Sequence, residues 1–217
     1  KIQVQSNGGL IVAIISNAVT IADAGAFSVG LGSMVLIKTL TASSSGTLSF
    51  VDGASSVVLD NTYPIYRFEF INIHASATGN FTFQANAAGA SGFNETITST
   101  SFVAYHDEGD STTALEYNDG SDQSQGTGFQ LLNVSGAFDI ENSANLSGTL
   151  TLFNPSNTTF VKHFIANTAF MGNGDYSHNN FVSGYFNLTA AIDEIQFKMS
   201  SGNIDSGIIK LYGIKDS

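Results

Sequence analysis

The chain has 217 residues, 42% hydrophobic and only 12% charged, with 22 Gly, 2 Pro and neither Cys nor Trp; 18 acidic against 7 basic residues give a formal charge of −11. Without cysteine there is no disulfide framework, no thiolate metal site and no cysteine nucleophile. The negative charge opposes counterion-release binding, so no nucleic acid and no anionic membrane surface is expected as a partner.

In chain order, the first feature is the apolar run Leu10-Ile11-Val12-Ala13-Ile14-Ile15. It is far shorter than the roughly 20 residues that span a bilayer, so no membrane insertion is expected. A chain that begins at Lys1 and not at Met is expected to have lost an initiator or a longer leader. Residues 1 to 30, where alternation is weak, are read as an N-terminal arm or, equally, as first strands. Residues 31 to 217 are read as one domain, because no linker, charge block or change of composition divides them.

Within that domain an extended Ile65–Ile73 places Tyr66, Phe68 and Phe70 on one face. The same two-residue period groups Phe81 with Phe83, Leu150 with Leu152, Phe160 with Phe164, and Ile195 with Phe197 and Met199, leaving Glu194, Gln196 and Lys198 facing away. Turn-forming clusters separate these runs at Ser43–Gly46, Asp52–Gly53, Ala88–Gly92, Asn118–Gly120, Met171–Asp175 and Ser200–Asn203. Helix-favouring Glu, Lys, Arg and Leu are scarce, whereas Ser, Thr, Asn, Phe, Ile and Val are abundant. Together these features predict an all-β fold, an antiparallel β-sandwich or jelly roll with the 1–30 stretch as its arm.

The residue types of several chemistries are present without the spacing those chemistries use. Asp107, Glu108, Asp110, Glu116, Asp119 and Asp122 crowd a Gly/Ser/Asn-rich stretch that offers hard oxygen ligands for Ca²⁺. It lacks the alternating ligands and distal Glu of a calcium loop and is read as a solvated acidic loop. His74, His106, His163 and His178 form no i, i+4 pair for a metal, and alternation puts His163 opposite Phe160 and Phe164, on a wet or interfacial face. Gly174-Asp175-Tyr176-Ser177-His178 imitates a nucleophile elbow, but nucleophile and base normally come from separate elements.

Asp193 with Glu194, and Asp139 with Glu141, are the carboxylate pairs to weigh for glycoside hydrolysis. Their separation is set in three dimensions, and they are read as strand-end and surface charges. Arg67, the only arginine, shares a face with Glu69 and is read as a surface ion pair, with an inter-subunit pair as the alternative. Tyr105, Tyr117, Tyr176 and Tyr185 lie near polar loops, where a flat ring beside polar side chains suits a saccharide. Asn-x-Ser/Thr sequons at Asn80, Asn94, Asn133, Asn145, Asn157 and Asn187 are what a chain so rich in these residues produces by chance. No catalytic, cofactor-binding or metal-ligating residue is assigned, and no cofactor is expected.

The segment Ile192–Ile214 runs a strand into Ser200-Ser201-Gly202-Asn203-Ile204, continues as Ser206-Gly207-Ile208-Ile209 and ends in Leu211-Tyr212-Gly213. It resembles the terminal hairpin of a family of short phage virion proteins, especially from phages of marine bacteria. Physically this is two alternating strands joined by a Gly/Asn-rich loop, with Tyr212 and Ile214 on one face. Ser49–Gly53, Tyr63–Ile73 and Gly148–Asn154 agree, so the likeness spans roughly Thr47 to Ile214 and leaves the first thirty residues uncovered.

The resemblance implies a jelly-roll or sandwich domain in a capsid decoration protein, head fibre or tail fibre, commonly a homotrimer, with no catalytic residues. At 217 residues the chain is expected to lack room for a fibre's shaft and anchoring domain. That favours a decoration (cement) protein on the outer capsid surface of a virion, partnered by the major capsid protein. The alternative is a tail-fibre or head-fibre module that recognises host surface glycans; an enzyme such as a depolymerase or esterase ranks last.

Overall fold

The computed structural model describes residues 2–6, 12–16, 19–23, 26–27, 34–136 and 138–215. Every regular element among them is a β-strand, and the strands form three antiparallel sheets. In the first, β1 (Ile2–Ser6), β2 (Val12–Ser16), β3 (Val19–Asp23) and β4 (Ala26–Phe27) pair in chain order. The stretch expected as an arm or first strands is therefore, in its described part, a four-stranded meander; its other residues lie outside the described ones.

The second sheet has eight strands. Across it run β10 (Thr113–Tyr117), β9 (Ile97–Asp107), β14 (Tyr176–Phe186), β13 (Lys162–Gly172), β12 (Leu146–Phe153), β7 (Ile65–Ala75), β16 (Ile204–Ile214) and β5 (Met34–Thr41). The third contains, in order, β11 (Gln130–Leu131), β8 (Phe81–Ala87), β15 (Ile192–Met199) and β6 (Leu48–Val51). These two pack face to face as the antiparallel β-sandwich that composition and alternation predict.

The inner faces meet at Phe197 of β15. Its ring lies 5.2 Å from Phe68 and 5.3 Å from Phe70 across the sandwich, and 5.8, 6.2 and 6.3 Å from Phe81, Phe50 and Phe83 within its own sheet. Three of these pairs are edge-to-face, the arrangement that sets the positive rim of one ring against the negative face of the next. The residues grouped by alternation on β7, β8, β12 and β15 are all buried here.

Strict alternation fails at Phe160 and at Asn72, besides the bulge of β15 at Asp193. Phe160 is 69% exposed while Phe164 is fully buried, because the strand begins only at Lys162, and Lys162 takes the inward position in place of Phe160. At Asn72 (φ 51°) β7 bulges, so that Asn72 is exposed and Ile73, next to it, is buried. The facing strand accommodates the bulge with Gly207 (φ 120°), where a Cβ would come within 2.8 Å of the Ile73 Cα.

The connection Ser200–Asn203, expected as a hairpin loop, instead crosses between layers: β15 belongs to the four-stranded sheet and β16 to the eight-stranded one. Both strands bury alternate apolar side chains in one core, but from opposite sides of it. Tyr212 and Ile214 do share the outward face of β16. Phe197→Ala is expected to lower stability by about 3–5 kcal/mol in urea unfolding. Phe160→Ala should change it by less than about 0.5 kcal/mol.

Candidate functional site

Strand geometry separates most residues that sequence proximity brings together. Ser177 and His178 point to opposite faces of β14. Ser177 pairs instead with His106 across the β9–β14 ladder, and the His106 Nε2 is held 3.1 Å from Asp110 Oδ1. Both His106 and Asp110 stand in solvent, half and almost fully exposed. His74 lies between Asp205 and the Glu141 carbonyl, and His163 beside Tyr185, so the four histidines do not converge.

The acidic stretch is a turn and its flanks. Asp107, at the end of β9, accepts the Ser111 and Thr112 amides at 2.9 and 2.6 Å and the Ser111 hydroxyl at 2.5 Å. These donors, the Ser111 hydroxyl first, hold its carboxyl below the usual range. Asp122 accepts the Tyr117 hydroxyl. Among the described residues no three His, Asp or Glu side chains gather in a way that could hold a metal ion.

Asp193 sits at a bulge of β15, its carboxyl raised by burial and by Asp52, while Glu194 turns toward Asn86. Asp139 accepts the amides of Ile140 and Glu141 and so closes its own loop. Arg67 and Glu69 form a 3.7 Å ion pair on the outward face of β7. The four tyrosines all lie on strands: Tyr105 and Tyr176 turn inward around His178, whereas Tyr117 and Tyr185 are on the outward face.

His178 stacks on Phe170 at 4.8 Å with its Nδ1 buried and unpartnered. Burial pushes its imidazole below the ordinary range, only partly offset by the Tyr176 carbonyl. Lys162 is fully buried, and its ammonium donates to the carbonyls of Phe160, Thr189 and Leu188 at 2.9, 3.0 and 3.4 Å. Burial lowers its pKa. It binds the turn after β14 to the start of β13 in a structural role that composition does not reveal.

The two outer faces of the sandwich differ. Over the four-stranded sheet lie the chain's own loops: Thr82, Gln84 and Asn86, on the outward side of β8, are all buried. The Gln84 side-chain amide donates to the carbonyls of Glu95, Thr127 and Gly128, and Lys198 lies over the Phe129 ring at 4.0 Å. Among the described residues, none is hydrogen-bonded over the outer face of β10, β9, β14 and β13 in the way these loops lie over β8. There Leu115, Tyr117, Ile165 and Phe102 are 72, 57, 54 and 43% exposed, and Phe102 stacks on Phe181 at 4.7 Å.

Between these ridges a shallow groove of 380 Å³ is lined by Thr98, Thr100, His163, Ile165, Ser183 and Tyr185. None of the outward residues of β9, β14, β13, β12 and β10 is Asp, Glu, Lys or Arg, although the chain carries a charge of −11. This uncharged face is the candidate site, and it includes residues that motif reading passes over. Their signal was the adjacency of apolar residues, as in Phe164-Ile165-Ala166 and Phe181-Val182, which gives a strand two apolar faces.

No family model, curated protein or solved structure matches this chain.

The buried His178 gives a pH dependence of defined sign. Its folded-state pKa lies below 6.5, so the unfolded chain takes up the proton first, and stability is lost as pH falls below 6.5 toward the folded value. Tyr105, Tyr176 and, one rung further along the strands, Asp107 are the titratable groups beside it. In urea unfolding at a series of pH values, wild type is expected to lose more stability below pH 6.5 than His178→Phe. Parallel curves would exclude His178 as the cause.

Proposed function

We propose that the protein is a non-enzymatic bacteriophage virion subunit, a capsid decoration (cement) protein that sits on the outer shell surface against the major capsid protein. It works as a homotrimer that stabilises the shell through contacts between subunits. The observation that carries this reading is the outer face of β10, β9, β14 and β13, whose outward positions hold no Asp, Glu, Lys or Arg and expose Leu115, Tyr117, Ile165 and Phe102, while loops cover the outer side of β8. Large exposed apolar faces mark association surfaces, and the centres of interfaces are depleted in charge and enriched in aromatic residues.

The resemblance of residues 47 to 214 to short phage virion proteins gives the kind of assembly. The mechanism needs no reacting group: apolar and aromatic surface is buried across subunit seams. Closed symmetry fixes the number of places such a subunit can occupy.

A second reading, a fibre module for host glycans, draws on the groove beside Tyr185, where an aromatic ring stands next to the hydroxyls of Thr98, Thr100 and Ser183 and the imidazole of His163. Quantitative mass spectrometry of purified virions separates the two. The decoration role is expected to give a copy number on the scale of the major shell protein. A few copies per particle would move the assignment to a fibre, and absence from virions would exclude both.

A further inference from the structure

We infer that the uncharged outer face of β10, β9, β14 and β13 is the surface through which copies of this chain bind one another. The inference rests on the subunit reading above and names the surface it uses. Three observations single out a second copy as the occupant.

The first is size. The strands β9, β13 and β14 have 11 residues each. At about 3.3 Å per residue, and with four strands about 4.8 Å apart, the face measures at most about 36 by 19 Å, within the range of specific interfaces that bury ~600–1,000 Å² per partner.

The second is that polar groups at its centre already serve one another. Asn167 donates to Asn179 Oδ1 at 2.6 Å and to the Asn180 carbonyl at 3.5 Å, and the Thr100 and Ser183 hydroxyls pair at 3.0 Å. Such groups can leave water without losing their hydrogen bonds, which lowers the desolvation cost of covering them. A saccharide site would need the reverse, free donors and acceptors aimed outward.

The third is charge. Two copies of a chain with net charge −11 repel each other wherever their carboxylates meet. The outward strand positions that bring Phe102, Phe181, Ile165 and Leu115 to a partner include no Asp, Glu, Lys or Arg, and carboxylates touch this face at Tyr117, through Asp122, and at His106, through Asp110. Covering its aromatic and aliphatic centre therefore sets few charges of like copies against each other, and rising salt screens the repulsion that remains.

The test is the mass of the full chain by sedimentation equilibrium across the micromolar range. Wild type is expected to associate, and to do so more strongly as salt rises. Ile165→Lys and Leu115→Lys are expected to weaken association by at least about 100-fold, with an unchanged circular dichroism spectrum and unfolding midpoint, because both side chains are exposed. Phe160→Lys, equally exposed but off this face, should leave association intact.

Association that survives both variants, or dissolves with salt, would overturn the assignment of the face while leaving the virion role standing. A monomeric wild type would overturn the inference outright. So would a monomer that binds a glycan array through this face and loses binding in Ile165→Lys. The virion copy number decides the parent reading separately.

Discussion

The structure depends on the aromatic junction at Phe197. With no disulfide and no tryptophan, the sandwich is joined by the stacking and edge contacts of one ring with Phe50, Phe68, Phe70, Phe81 and Phe83. Phe68 and Phe70 come from the eight-stranded sheet and the rest from the four-stranded one, so the junction fixes how the layers face each other. Because one layer has twice the strands of the other, part of the larger sheet's inner face must be covered by something other than a strand.

Described residues between Asn118 and Asp139, Leu132 and Phe138 among them, provide that cover, and amides and hydroxyls pin them down. Ser99 donates to Gln130 Oε1, Gln130 donates to the Ser121 carbonyl, and Thr168 donates to the Leu132 carbonyl. Asn133 Oδ1 accepts the Phe81 amide while its Nδ2 donates to Asn80 Oδ1 and the Val134 carbonyl. Asn133 is wholly buried, so this sequon position has no accessible side chain in the folded protein. Side-chain satisfaction of backbone groups lets an irregular segment lie against a sheet without orphaned donors.

What the sequence makes legible is which residues share a face, since a strand has a period of two and the apolar set follows it. Tyr66, Phe68 and Phe70, or Ile195, Phe197 and Met199, could be placed inside on that ground alone. Periodicity does not say what lies over a face. Alternation puts Thr82, Gln84 and Asn86 opposite Phe81 and Phe83, yet all three are buried, Gln84 under the loops that bring it the Glu95 and Thr127 carbonyls. Phe102 and Leu115 are apolar and remain outside. Lys162 was illegible for a related reason: the start of β13 decides whether its position is inside, and the carbonyls of Leu188 and Thr189, brought from a distance, join that of Phe160 to make burial of the charge tolerable. The inter-sheet crossing at Ser200–Asn203 was hidden because a hairpin and a crossing use the same turn residues.

The same geometry bears on function. Catalysis asks that nucleophile, base and charge-stabilising groups converge, and a β-strand sends neighbouring residues to opposite sides. Ser177 is parted from His178 in this way, and the inward Tyr105 and Tyr176 are parted from the outward Tyr117 and Tyr185. What a strand collects well is a row, and rows across adjacent strands make a surface. Here the rows of β10, β9, β14 and β13 collect aromatic and aliphatic side chains, pair off their own polar groups and omit charge. Charge repels copies of a chain with a surplus of eleven carboxylates, so leaving it out of these rows lowers the cost of contact there. A surface with those properties is suited to being covered by protein, and the binding energy it offers comes from area and ring packing.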